Sequence, residues 1–151
     1  MERSEALPVD GTGLSLGIVL STFNEDITGG LLEGALAACE QMGIDSTVVV
    51  RVSGALEIPV VAKHLAAHHD AVVAIGAVIE GETDHYHHVA TQTSAGIMLV
   101  SVETGVPVAN AVLTVRSYDH ARERSLPGPG NKGAEAVEAA VRAARAVARL
   151  R

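Results

Sequence analysis

The sequence predicts an α/β fold: a three-layer sandwich in which a four-stranded parallel sheet carries helices on both faces. Four short apolar runs alternate with stretches whose apolar residues recur at helical spacing. Glycine, proline and small polar residues punctuate the joins between them. The composition is 48 % hydrophobic and only 2 % aromatic, which suits Ala-rich helices packed on a Val/Ile-rich sheet.

Each element follows from local chemistry. Residues 1–13 are mixed and end in Asp10-Gly11-Thr12-Gly13, a turn signal. Residues 14–21 (LSLGIVLS) read as a buried strand. Residues 26–44 have helical periodicity and a stop at Gly43. Residues 46–52 (STVVVRV) are β-branched and read as a second strand. Residues 54–70 read as a turn followed by a helix beginning around Pro59, since proline is suited to a first helical turn. Residues 71–79 (AVVAIGAVI) form a third strand, and a loop leads to a helix over 84–103. Residues 106–114 are the fourth strand and 117–124 a short helix. A Gly/Pro loop over 125–133 precedes a terminal helix over 134–150.

The chain has 151 residues and a single core, so 14–151 is expected to be one domain. A net charge of −7 argues against a basic nucleic-acid footprint, and the scarcity of aromatics argues against a base-stacking surface. Arg142, Arg145, Arg149 and Arg151 read as the wet face of the last helix. The one cysteine, Cys39, reads as a small core residue rather than a nucleophile, and it permits no internal disulfide. No signal peptide or membrane span is evident, so the expected location is the cytoplasm.

In a parallel sheet, ligands bind beyond the carboxyl ends of the strands. Function is therefore expected in the loops 22–25, 53–57, 79–85 and 114–116. Phe23 is the only phenylalanine and sits at a loop tip. It is a core residue or a stacking platform for a flat heterocycle. Glu57 is a solvated first-turn residue or an acceptor for ligand hydroxyls. Gly81 lets a ligand approach a helix start, where backbone N–H groups favour anions. Thr83 either caps that helix or binds a phosphate oxygen. Glu80, Glu82 and Asp84 would repel a phosphate, so a cation must compensate. His85, His87 and His88 lack the i, i+4 spacing of a helical zinc pair, and no metal is expected. His85, at the first turn beside the crevice, suits proton transfer. His87 and His88 read as surface or subunit-contact residues. Arg124 ends a short helix with a guanidinium suited to phosphate, and Lys132 follows the Gly130-Asn131 turn.

Six segments in this order resemble the lumazine synthase family. They are TFNEDITGGLLEGAL (22–36), VRVSGALEIPVVAKHLA (50–66), AIGAVIEGETDHYHHVA (74–90), PVANAVLT (107–114), HARERS (120–125) and NKGAEAV (131–137). The resemblance implies a flavodoxin-like sheet. It also implies condensation of 5-amino-6-(ribitylamino)uracil with 3,4-dihydroxy-2-butanone 4-phosphate to 6,7-dimethyl-8-ribityllumazine, without cofactor. By resemblance, Phe23 stacks on the pyrimidine, and Ala55, Leu56 and Glu57 hold the ribityl chain. Gly81, Glu82 and Thr83 bind phosphate, and His85 transfers protons. Arg124 clamps phosphate and Lys132 lies near the ring. In the family these two, with the residue matching Asn110, come from the neighbouring subunit of a pentamer. Some members pack twelve pentamers into a sixty-subunit shell.

Residues 1–13 are then expected to pack on a neighbouring subunit. Partners beyond the substrates are copies of the chain, with no nucleic acid and no membrane. The family's usual run after the third strand is Ile-Arg-Gly-Glu-Thr-Pro-His-Phe-Asp-Tyr. Here Glu80, Asp84, Tyr86, His87 and His88 depart from it, and Asn110 stands where an aromatic is frequent. The alternative reading is a non-catalytic flavin- or pteridine-binding, or shell-forming, member.

Overall fold

A computed structural model describes residues 9–151. Its sheet contains β1 (Ser15–Ser21), β2 (Ser46–Val52), β3 (Ala71–Ile79) and β4 (Val108–Val115), all parallel in the order β2-β1-β3-β4. The helices are α1 (Glu25–Met42), α2 (Ile58–Ala66), α3 (His85–Thr104), α4 (Tyr118–Ser125) and α5 (Lys132–Leu150).

Alternation along β3 divides the core. Ala71, Val73, Ile75 and Ala77 face α1, α4 and α5, while Val72 and Ala74 face α2 and α3. Both faces are therefore dry, which is why β3 reads as an unbroken apolar run. Gly43 ends α1 with a φ of 72°, a left-handed turn that a β-carbon would strain. Cys39 is buried in the first of these layers, and burial pushes its thiol above the ordinary value. It is a core residue.

Two expectations about the ends need correction or restriction. Arg145 does not simply face water, because its guanidinium binds the carbonyls of Asp10 (3.0 Å) and Thr12 (2.7 Å). Those bonds hold residues 9–13 against α5 of the same chain. The expected packing of residues 1–13 on a neighbour falls largely on residues 1–8, outside the described ones. Arg142 does lie on the surface, paired with Glu138 at 2.9 Å.

Candidate active site

The strand order reverses between β1 and β3, the place where a doubly wound sheet opens a crevice. A cleft of about 540 Å³ lies there. It is lined by Ser21 at the end of β1 and Phe23 after it, by Ser53 to Glu57 after β2, by Ala77, Val78, Ile79, Gly81 and Thr83 around the end of β3, and by His85, Tyr86 and Val89 of α3.

Phe23 is 71 % exposed, so its core reading is excluded. The turn that displays it is built by Asn24, the one non-glycine residue with positive φ (60°) among those described. Asparagine tolerates that conformation better than most side chains. Its amide donates to the Ala77 carbonyl at 3.0 Å, pinning the β1–α1 turn to β3. The amides of Thr22 and Phe23 donate to Val52 and Ser53, which ties the first loop to the second.

After β2 a short 3-10 turn, Ala55–Glu57, precedes α2. Ala55 is buried beneath the cleft while Leu56 and Glu57 are exposed at its rim. Pro59 falls in the first turn of α2, which begins at Ile58.

The loop after β3 carries Gly81, Glu82, Thr83 and His85, all exposed. Gly81, Thr83 and His85 line the cleft, and Glu82 does not. The residue before α3 is Asp84, whose side chain does not cap it, and the Thr83 hydroxyl accepts from the His85 amide at 3.4 Å. A bond that long caps the helix only weakly and leaves the hydroxyl largely uncommitted. His85 and Tyr86 face this cleft, whereas His87, with its ring edge-on to Tyr86, faces another. Among the described residues no group of three His, Cys, Asp or Glu side chains has metal-binding geometry.

Asn110, Arg124 and Lys132 are brought together elsewhere. They line a second cleft of about 450 Å³ along β4, the sheet's edge, together with Glu135 of α5. The two clefts share no lining residue. Asn110 is exposed and its carbonyl oxygen accepts from the Val112 amide at 2.8 Å, which blunts the strand edge. Arg124 donates to the His120 carbonyl at 2.9 Å and makes no ion pair among the described residues, so most of its five donors are unspent. Lys132 is the first residue of α5, not a residue ahead of it, and pairs with Glu135 at 2.8 Å.

The model of the 6,7-dimethyl-8-ribityllumazine synthase family matches residues 13–148. The chain belongs to that family. It is 50 % identical over 144 residues to the 6,7-dimethyl-8-ribityllumazine synthase of Mycobacteroides abscessus, covering 94 % of this chain and 90 % of the relative. The enzyme of the same name from Thermobifida fusca is 48 % identical over 145 residues, covering 95 % and 85 %. That from Mycobacterium leprae is 45 % identical over 145 residues, covering 95 % and 91 %.

Within this lumazine synthase scaffold, sequence reasoning missed two contributors. Asn24 shapes the Phe23 turn. Its signal was an asparagine placed between a strand and a helix. Arg116 lies 4.0 Å from Glu80, supplying a cation beside the acidic loop. Nothing in the local sequence pairs these two residues, which are separated by a helix and a strand.

Proposed function

We propose that this chain is a 6,7-dimethyl-8-ribityllumazine synthase, which joins 5-amino-6-(ribitylamino)uracil to 3,4-dihydroxy-2-butanone 4-phosphate with loss of phosphate and water. The observation that carries the reading is the cleft at the strand-order reversal. It gathers an exposed aromatic, a carboxylate, a largely uncommitted hydroxyl and a histidine in a chain of this family.

The roles follow from the chemistry of each group. The Phe23 ring stacks on the pyrimidine. Ala55, Leu56 and Glu57 hold the ribityl chain, with the Glu57 carboxylate accepting from its hydroxyls. Gly81, Glu82 and Thr83 form the phosphate loop, where the start of α3 offers backbone N–H groups. Condensation of an amine with a ketone needs a proton acceptor and then a donor at nitrogen and oxygen, and His85 serves both ends. No cofactor enters. The remainder of the acceleration is proximity of two oriented substrates.

Asn110, Arg124 and Lys132 complete the site from a neighbouring copy. What supports this is their convergence on a separate cleft, and exposed apolar residues on the outer helices, among them Val60, Met98 and Val102. The working unit is a ring of five, and a shell of twelve rings is the larger assembly. The enzyme acts in the cytoplasm. Among the described residues no helix is long and apolar enough to cross a membrane.

The test is direct. Purified protein is mixed with both substrates and lumazine absorbance is followed. Binding of lumazine or riboflavin without any turnover would favour the non-catalytic reading and overturn this one.

A further inference from the structure

We propose that Asn131 is a positioning residue that sets the stance of Arg124 and Lys132. The proposal rests on the reading above, in which these two cations bind substrate. Asn131 is 1 % exposed, and its side chain makes four hydrogen-bond contacts with backbone groups. Its amide nitrogen lies within hydrogen-bond distance of the carbonyls of Gly30 (3.1 Å), Ser125 (3.2 Å) and Leu126 (3.1 Å). Its carbonyl oxygen accepts from the Ala134 amide at 3.1 Å and so caps α5.

The placement of those partners matters. Ser125 directly follows Arg124, and Lys132 directly follows Asn131. One side chain therefore grips the end of α4 and the start of α5 and fastens both to α1. The fit is close on every side. A β-carbon at Gly34 would fall 2.1 Å from the Asn131 oxygen, one at Gly30 would fall 2.5 Å from the Ser125 carbonyl, and one at Gly133 would fall 2.0 Å from the Leu31 carbonyl. Gly34 and Gly133 form a notch that admits this amide, and Gly30 lets the end of α4 close on α1. Arg124, in the last turn of α4, and Lys132, the first residue of α5, flank the turn it closes, and both line the β4 cleft.

Asn131→Asp keeps the cap but sets a carboxylate oxygen against carbonyls that need a donor. Asn131→Ser is neutral, still caps, and serves if the aspartate variant does not fold. Val137→Ala, in the core of α5 and 0 % exposed, is the control for destabilisation alone. Kinetics are measured well below the melting point of every variant. The expected result is a rise of roughly tenfold or more in KM for both substrates with the Asn131 variants, and unchanged KM with Val137→Ala. In an Arg124→Ala background, Asn131→Ser should add nothing further to the KM of the phosphorylated substrate, because it acts through Arg124. Additive effects there, or KM values matching the Val137→Ala control, would overturn the positioning role. Arg124→Ala alone leaving that KM unchanged would instead sink the role given to Arg124, and the wild-type chain making no product would sink both.

Discussion

Glu80 and Arg116 meet where β3 and β4 end, with Nε of Arg116 4.0 Å from a carboxylate oxygen of Glu80. They continue the strand register by one step, since Ile79 pairs with Val115 and the Glu80 amide donates to the Val115 carbonyl at 2.9 Å. The pair lines a polar cleft of about 440 Å³ with Thr114 and His87, and Tyr86 lines both this cleft and the main one. The family's usual arginine at position 80 is gone, but a positive charge stands beside it. Arg116→Glu should raise KM for the phosphorylated substrate roughly three- to fivefold at low salt, and molar salt should flatten the difference. Steady-state kinetics of the reversed double variant, Glu80→Arg with Arg116→Glu, should return the value to near wild type. No change in the single variant would show that the pair does not tune the loop.

His85→Ala should lower turnover by about 10²-fold or more, the usual range for a lost acid/base group. Single-turnover absorbance measurements check this. Chelators should leave the wild-type rate alone, and a rate abolished by chelation and restored by zinc would overturn the proton-transfer role.

Arg124→Ala should raise KM for the ketone phosphate far more than for the pyrimidine, because a guanidinium fork matches phosphate oxygens. Initial rates with each substrate varied in turn separate the two effects. Equal effects, or none, count against the assignment.

Mixing these two impaired variants, at a ketone phosphate concentration too low to saturate Arg124→Ala, tests the shared site. If each site takes His85 from one chain and Arg124 from the next, co-refolded His85→Ala and Arg124→Ala chains regain about a quarter of the wild-type rate, by random pairing around a ring. A site confined to one chain gives no recovery. Native mass spectrometry on the same samples reads the ring size and any shell.

Tyr118 and Asp26 hydrogen-bond across the first turns of α4 and α1. The bond from phenol to carboxylate holds the Tyr118 pKa above its ordinary 10.0. A raised folded-state value means the contribution is present below the unfolded value and is lost as pH rises through the folded one. The gap in melting temperature between wild type and Tyr118→Phe should therefore be open at neutral pH and close as the pH rises past the ordinary tyrosine value. A gap independent of pH would mean that the hydroxyl acts by packing alone.

Much of the scaffold could be read from local pattern. The β2 and β3 boundaries fall where their apolar runs begin and end: β3 is buried on both faces and needs apolar side chains throughout, and the edge strand β2 is marked by its β-branched valines. The ends were harder. α5 begins at Lys132, two residues before the alanine-rich run suggested, because the buried Asn131 caps it there. β4 begins at Val108 instead of 106, since the ladder to β3 opens with Val72 donating to the Pro107 carbonyl. Phe23, Gly81, Thr83 and His85 could be named from loop position, and the cleft does collect them. What stayed hidden was non-local: Asn24 reaching Ala77, Arg116 reaching Glu80, and Asn131 reaching Gly30. Each spans chain separations over which residue types alone give no distance.

The notch around Asn131 also constrains how this chain can drift. Gly34 cannot gain even a methyl group while Asn131 is in place, and the vacancy left by losing Asn131 would strand the carbonyls it serves. A side chain at Gly30 or Gly133 would meet the backbone carbonyls of Ser125 and Leu31 whatever stands at position 131, so those two positions stay closed. Positions 34 and 131 restrict each other directly, and anyone diversifying this scaffold would do well to randomise those two together or leave them alone.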